Sequence, residues 1–340
     1  MIQKDSEPID SLGDWERLGG PKHATQWVPE RSAFEVAREW LDVSSPELPP
    51  GILALLRSNE AFGDVLSWQA EPEAQIRFDK YPGEPRNCDL LVKATDVFGD
   101  FIIAVEAKAD ESFGETVEDT LSAALERRIA NSSSRGLERI ASLSRLLFSV
   151  RGKRQARVGA LRYQLLTATA GALSAATSGA RTVLLVEEFK TGKTTAEKHE
   201  ANQKDLDAFV HRLTNGATGE CKAGRLHGPI TLPEPLRGEP AGPQLFVGKI
   251  QHDRTQITAD EAVRTALRAL GGQGTIDDVS TWISRSLTQS WKDIGTTMAD
   301  MTASKNSQSG YPSDRQILER VESGLYRLNP RSTTSRITRS

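Results

Sequence analysis

Asp89, Glu106 and Lys108 are the residues of this 340-residue chain whose types and spacing point most directly to chemistry. Glu106 and Lys108 close the apolar run Phe101–Val105 (FIIAV), where charge is least expected. Strand side chains alternate between two faces, so residues two apart share one. A second strand-like run, CDLLVKA, precedes the first across a Gly-containing turn around Phe98, Gly99 and Asp100. Folding the two into a hairpin puts position 89 opposite about 106–108, so that two carboxylates and one ammonium converge at one end. Paired carboxylates suit Mg²⁺, with Mn²⁺ as a substitute, because such an ion keeps sites open for water and phosphate. The metal polarises the phosphate and lowers the pKa of the attacking water, and the lysine orients that water and offsets developing charge. The expected chemistry is phosphodiester hydrolysis.

The elements that must position these groups follow from periodicity. RSAFEVAREWL, Arg31 to Leu41, carries Phe34, Ala37, Trp40 and Leu41 at helical spacing, and GILALLRSN reads as a second, short helix. EPEAQIRF enters the hairpin, whose second strand is apolar at consecutive positions and therefore covered on both faces. Helical patterns resume over 117–129, 137–150 and 160–176, followed by a central strand, RTVLLVEEF, and a helix in DLDAFVHRL. The Gly- and Pro-rich residues 214–245 read as a long irregular connection, and QLFVGKI (244–250) as a final edge strand.

Asp89 followed, after sixteen intervening positions, by Glu106-Ala107-Lys108 resembles the core of the PD-(D/E)XK restriction-endonuclease-like nuclease superfamily. The usual Pro before the Asp is replaced by Asn87-Cys88. The order helix, strands, helix, strand agrees with that superfamily. LGGPKHATQWVPERSAFEVAREW, AVEAKADESFGETV and LRYQLLTATA are similar to segments of an uncharacterised bacterial family across roughly residues 14–250. The resemblance implies an α/β fold, a mixed sheet flanked by helices, with Asp89 and Glu106 as metal ligands and Lys108 as the water-orienting residue. It also implies an auxiliary acid upstream: Glu73 in EPEAQIRF is the choice, and Glu35 on the first helix the competitor. Asp110 and Glu111 read as the start of a loop. Gln164 falls on an apolar-rich helix after the hairpin, where the superfamily sometimes places a polar residue near the metal site; a satisfied amide on a core helix is the preferred reading.

Charge divides the chain. Residues 1–125 hold 25 Asp and Glu against 11 Lys and Arg, whereas residues 126–162 hold 10 Lys and Arg against 2 acids. Arg127, Arg128, Arg135, Arg151, Lys153, Arg154 and Arg157 in that basic stretch are candidates for gripping a phosphate backbone. No apolar run approaches the ~20 residues that span a bilayer, and the polar start MIQKDSEPID does not read as a signal peptide. Two cysteines exclude a disulfide framework and cysteine-rich zinc spacing, so a cytoplasmic protein is expected. Thr191-Gly192-Lys193-Thr194 is no phosphate loop, because the glycine required five positions before Gly192 is Glu187. The five histidines are scattered without paired metal spacing.

The expected organisation is a nuclease-like domain over 1–250, a linker over 251–257, a winged-helix-like domain over 258–330 and a disordered basic tail over 331–340. The winged-helix unit is nearly neutral, with 8 Lys and Arg against 9 Asp and Glu. DNA contact there would rest on Arg285, Lys292 and Lys305, aided by Arg331, Arg336 and Arg339; contact with a protein partner is the other use. The leading function is a Mg²⁺-dependent DNA endonuclease, restriction-like or part of bacterial antiviral defence, acting as a homodimer. The alternatives are a transposition endonuclease subunit and a non-cleaving DNA-binding regulator or assembly factor.

Overall fold

Strands apolar on both faces need helices on both faces. The computed structural model describes residues 1–21, 23–41, 47–177, 179–233, 243–302 and 316–329. A small ribbon, β1 (Gln3–Lys4) and β2 (Glu7–Pro8), leads into helices α1 (Leu12–Gly19), α2 (Ser32–Leu41) and α3 (Pro50–Arg57). Strands β3 (Val65–Ile76), β4 (Arg86–Asp96) and β5 (Gly99–Lys108) follow, then α4 (Val117–Ala130), α5 (Gly136–Leu147) and α6 (Tyr163–Ala175). Next come β6 (Arg181–Lys190), α7 (Ala196–Leu213), β7 (Leu226–Ile230) and β8 (Gln244–Asp253).

These strands form a six-stranded mixed sheet in the order β3-β4-β5-β6-β8-β7. β3, β4 and β5 are mutually antiparallel, β6 runs parallel to β5 and to β8, and β7 is antiparallel to β8. Trp15, Phe34, Trp40, Ile52 and Leu55 from α1 to α3 pack on one face, against Phe101, Ile103, Val105, Val183 and Leu185. Val117, Leu143, Leu165 and Phe209 from α4 to α7 cover the other, against Leu184, Val186, Leu245 and Val247. The β4–β5 hairpin closes through Val97 and Phe98 into Gly99, whose φ of +113° is open to glycine at no steric cost. Just beyond that end, Asp96 and Arg181 form a buried two-pronged ion pair.

The edge differs from expectation. β8 is an interior strand, and the edge belongs to β7, a five-residue strand inside the Gly- and Pro-rich stretch read as irregular. Pro229 removes a backbone donor, which an edge position tolerates. β8 also continues to Asp253, into the stretch read as a linker.

The C-terminal unit contains α8 (Ala259–Ala269), β9 (Gln273–Thr275), α9 (Ile276–Ser286), α10 (Ile294–Asp300), β10 (Leu318–Glu322) and β11 (Leu325–Leu328). Its strands pair in the order β10-β11-β9 over a core that includes Val263, Leu267, Ile283, Met298 and Leu318. Thr258 with Glu261, and Thr275 with Asp278, cap α8 and α9 reciprocally, satisfying amides that open each helix. Lys305, Arg331, Arg336, Arg339 and the tail 331–340 lie outside the described residues.

Glu30 joins the two units. Its Oε1 accepts from Thr288 Oγ1 (2.7 Å) and Gly192 N (3.1 Å), and its Oε2 accepts from Thr288 N (3.2 Å). A Cβ on Gly192 would lie 2.0 Å from Thr288 Oγ1 and 2.8 Å from Glu30 Oε1, so any larger residue would push apart the groups that join the units. The Thr191–Thr194 segment, rejected as a phosphate loop, is thus the docking loop of the C-terminal unit. No helix among the described residues is long and apolar enough to cross a membrane.

Candidate active site

The site begins with a bend. Glu73 adopts φ +46°, a left-handed conformation uncommon for a non-glycine residue. The β3–β4 ladder pairs Pro72 with Leu90 and Ala74 with Cys88, so Glu73 and Asp89 fall opposite each other at the interrupted level between them. Lys4 braces the bend: its Nζ donates to the carbonyls of Pro72 (3.0 Å) and Glu73 (2.9 Å) and to Glu71 Oε1 (2.9 Å). Lys4→Met keeps the stem and removes these bonds, and is expected to cost about 1–2 kcal/mol in urea unfolding. An unchanged midpoint would mean that the bend holds itself.

Asp89 and Glu73 line a space of about 30 Å³ closed by Trp15, Gly19, Ser32, Ala33 and Val36 of α1 and α2. That volume admits a water molecule or a small ion. Glu35 points elsewhere, accepting from Glu30 N (3.0 Å) and pairing with Arg38 (3.4 Å). Of the two upstream acids considered, Glu73 therefore accompanies Asp89.

At the same level β4 and β5 part. Their ladder ends at Leu90 and Val105, and beyond it Asp89 Oδ2 accepts from the backbone N–H of Ala107 at 2.7 Å. A carboxylate takes the place of a strand carbonyl, against the residue between Glu106 and Lys108. Glu106 is wholly buried. Its Oε1 accepts from Lys108 Nζ (2.6 Å) and Gln164 Nε2, and its Oε2 pairs with Arg86. Lys108 is buried as well, and also donates to Ala107 O (3.1 Å).

Arg86 was not singled out in the sequence, and the bonding of Gln164 to Glu106 was not foreseen. Arg86 opens β4 and also donates to Thr167 Oγ1 (3.1 Å). Gln164, expected as an ordinary core amide, is satisfied by Glu106 itself. Gln164, Thr167 and Gly171 stand at i, i+3 and i+7 along one face of α6. A Cβ at Gly171 would stand at ordinary contact distance, 3.4 Å, from Arg86 Cδ, so the arginine lies close along this face of the helix. The sequence signal was present: a basic residue at the mouth of an apolar strand, facing a helix whose polar residues recur every turn.

The electrostatics separate the two acids. Burial opposes ionisation of Glu106, but Lys108 and Arg86 more than offset it and hold the carboxyl below the usual range. Burial likewise opposes charge on Lys108, yet Glu106 and then Asp89 raise its pKa. Asp89 moves the other way. Burial, then repulsion by Glu106, pushes it up to about 7, despite help from Lys108 and the Ala107 amide; Glu73 adds further repulsion. The positive charge that Lys108 brings to Asp89 falls short of what burial and the Glu106 charge demand, and the Glu73 and Asp89 carboxylates are hard oxygen donors, which fits a small divalent cation. Among the described residues no three His, Cys, Asp or Glu side chains form a ready-made metal cage. A cation here would use two protein carboxylates and complete its shell with water and phosphate.

The residues of the basic stretch stand in different surroundings. The Arg127 charge is felt at Tyr163, the first residue of α6. Arg128 and Arg135 are both paired with Glu138. Arg151 adjoins Arg212 in the last turn of α7. Lys198, in the first turn of that helix, donates to Asp110 O just past Lys108 (2.6 Å). The 18-residue α7 is about 27 Å long, so Arg151 stands roughly a helix length from the acids. Lys153, Arg154 and Arg157 are exposed in the loop after it.

A family model described as "Domain of unknown function (DUF6946)" matches residues 8–254, more than half of the chain. No curated protein and no solved structure matches it.

Proposed function

The chain belongs to the DUF6946 family, whose description assigns no activity, and from its own site we propose that it is a cytoplasmic, Mg²⁺-dependent DNA endonuclease. One observation carries this reading: Asp89 stands where β4 and β5 part, bonded to the amide between Glu106 and Lys108 and opposite Glu73. The order α2, α3, β3, β4, β5, α4, α5, α6, β6, with two antiparallel strand pairings and then a parallel one, supports a restriction-endonuclease-like core.

In this mechanism Asp89 and Glu106 would hold the metal, with Glu73 as auxiliary acid, and Mg²⁺ (or Mn²⁺) would supply polarisation of the phosphate and acidification of a water when bound. The chain's own groups do the rest. Lys108 is already held charged by Glu106 and Asp89, so it can orient the attacking water and balance the negative charge that builds on phosphorus. Gln164 and Arg86 fix the Glu106 carboxylate from the α6 side. Exposed Arg127, Arg151, Lys153, Arg154 and Arg157, with Arg135, grip the DNA backbone, which makes binding fall steeply with salt. Cutting both strands of a duplex with one site per subunit favours a two-fold homodimer.

The C-terminal unit has the helix-strand-helix-helix-strand-strand order of a winged helix. Its third helix, α10, which would enter the major groove in such a module, contains no Lys or Arg and ends in Asp300. We therefore give phosphate contact mainly to the 126–162 stretch, and the C-terminal unit a protein-contacting role.

A second reading rests on Glu106, whose two oxygens are taken by Arg86, Lys108 and Gln164. If those contacts outlast metal, the protein binds DNA without cutting it, as a regulator or assembly factor. The test is cleavage of plasmid, linear duplex and single-stranded DNA with Mg²⁺ or Mn²⁺ by the native chain, Lys108→Ala and Glu106→Gln. Metal-dependent cutting that falls by more than about 100-fold in both variants supports the enzyme. DNA binding with no cutting on any substrate favours the second reading. Cutting that survives both substitutions removes the site.

A further inference from the structure

A second cavity, about 290 Å³, lies at the seam between the two units and shares no lining residue with the space at Asp89. Three aromatic rings form its walls. Trp27 and Phe34 meet edge-on with centroids 5.5 Å apart, and Phe34 and Trp282 lie tilted at 6.4 Å. Trp27 and Trp282 are only half-buried, so their surfaces remain available. Glu16 of α1 and Arg285 of α9 also line the cavity, one from each unit. Both are exposed, and among the described residues neither is paired with the other or with any further group.

We infer that this cavity binds a purine nucleotide, with guanine preferred. An apolar ligand would leave the Glu16 and Arg285 charges at the cavity unused, and a helix or strand is too large for the space. A flat heteroaromatic base matches the half-exposed Trp27 and Trp282 rings, which buried Phe34 holds in place, because every base presents a π-face. The Glu16 carboxylate has only acceptors. It is best met by two adjacent N–H donors, which guanine offers along one edge and adenine does not. Arg285 then takes the phosphate, for which its guanidinium is shaped. The volume matches the lower bound of about 300 Å³ for small-ligand pockets. The base has two sources, a free nucleotide or an unstacked nucleotide of a strand, and the chemistry of recognition is the same for both.

This inference stands apart from the nuclease reading, because its readout is binding. The full-length protein is titrated with GMP, guanosine, AMP and a dT hexamer bearing one dG, by calorimetry and tryptophan fluorescence. GMP is expected to bind and quench, and guanosine to bind about tenfold more weakly. Arg285→Ala brings GMP down to the guanosine level and leaves guanosine unchanged. Glu16→Gln narrows the preference for GMP over AMP. Both residues are exposed, so both variants should melt like the native chain, which is checked. Hexamer binding that competes with GMP and weakens in the same variants assigns the site to a strand. GMP binding that no hexamer displaces assigns it to a free nucleotide. No binding by any probe at millimolar concentration overturns the inference, and so does GMP binding that neither variant alters.

Discussion

Asp89→Asn is expected to melt higher than the native chain at pH 8 while cutting no DNA. Burial, and then the nearby Glu106 charge, lift the Asp89 pKa to about 7. In the unfolded chain it returns to about 3.9. Between these values the folded protein holds a proton that the unfolded chain has lost, so stability falls as pH rises across the window and levels off above it. Some three pKa units set an upper bound of about 4 kcal/mol on the penalty at pH 8. Asparagine removes the charge, and its carbonyl oxygen can still accept from the Ala107 amide. Its advantage should be greatest above pH 7 and vanish toward pH 4. The loss of an acid in the cluster should lower cleavage by more than about 100-fold. The paired measurement is thermal melting with and without Mg²⁺ at pH 8. The cation should raise the native midpoint and leave Asp89→Asn unmoved. A variant that melts lower at pH 8, or that Mg²⁺ stabilises as well as the native chain, would contradict this account of Asp89.

Arg181→Met is expected to be the most damaging single change away from the site, at about 3–5 kcal/mol. Arg181 grips Asp96 through both nitrogens (2.8 and 2.7 Å) and donates to the carbonyls of Ala61 and Gly99 (both 2.6 Å). Its guanidinium also lies over the rings of Phe62 (5.1 Å) and Phe101 (5.4 Å). Asp96 in turn accepts from Gly63 N and Phe98 N. One pair thus ties β6 to the hairpin turn and to the loop after α3. Burial works against the Asp96 charge, but Arg181 and the two amides more than offset it and lower the pKa. The contribution is therefore present above the unfolded value and lost as pH falls through the folded one. Methionine leaves a buried carboxylate with no counter-ion. Urea unfolding should show a large drop at pH 7 that shrinks as Asp96 takes up a proton in acid. The double variant Asp96→Leu, Arg181→Met should recover much of the loss, because an apolar replacement for a buried pair is often neutral. If the double variant falls as far as the single one, the rings and carbonyls, not the charge, dominate.

Asp89, Glu106 and Lys108 could be placed together from the sequence because few freedoms remain in that segment. Two strand-like runs, a short turn and a period of two leave one register, and charges at the end of an apolar run mark it. The central position of β6 followed from its unbroken apolar core by the same logic. Arg86 and Gln164 carried a local signal, but their bonding to Glu106 depends on how α6 crosses the sheet about 60–80 residues later. β7 was hidden by its own Gly228 and Pro229, residues that argue against a strand unless it lies at an edge. The bend at Glu73 was hidden too, since a left-handed glutamate is held by Lys4, nearly 70 residues away. Local pattern reports local structure. Contacts that cross the sheet are settled by packing.

Glu30 gives the molecule a property of assembled proteins. Its hydrogen bonds to Gly192 and Thr288, with Phe34 against Trp282, make the seam a subunit interface carried within one polypeptide. The match to the family ends at residue 254, just short of the cap that opens α8. A chain severed between 254 and 257 should therefore behave as two complementing fragments, each able to find the other in trans. Covalent connection would then serve to raise their local concentration, and fusion, not folding, would be what the linker contributes.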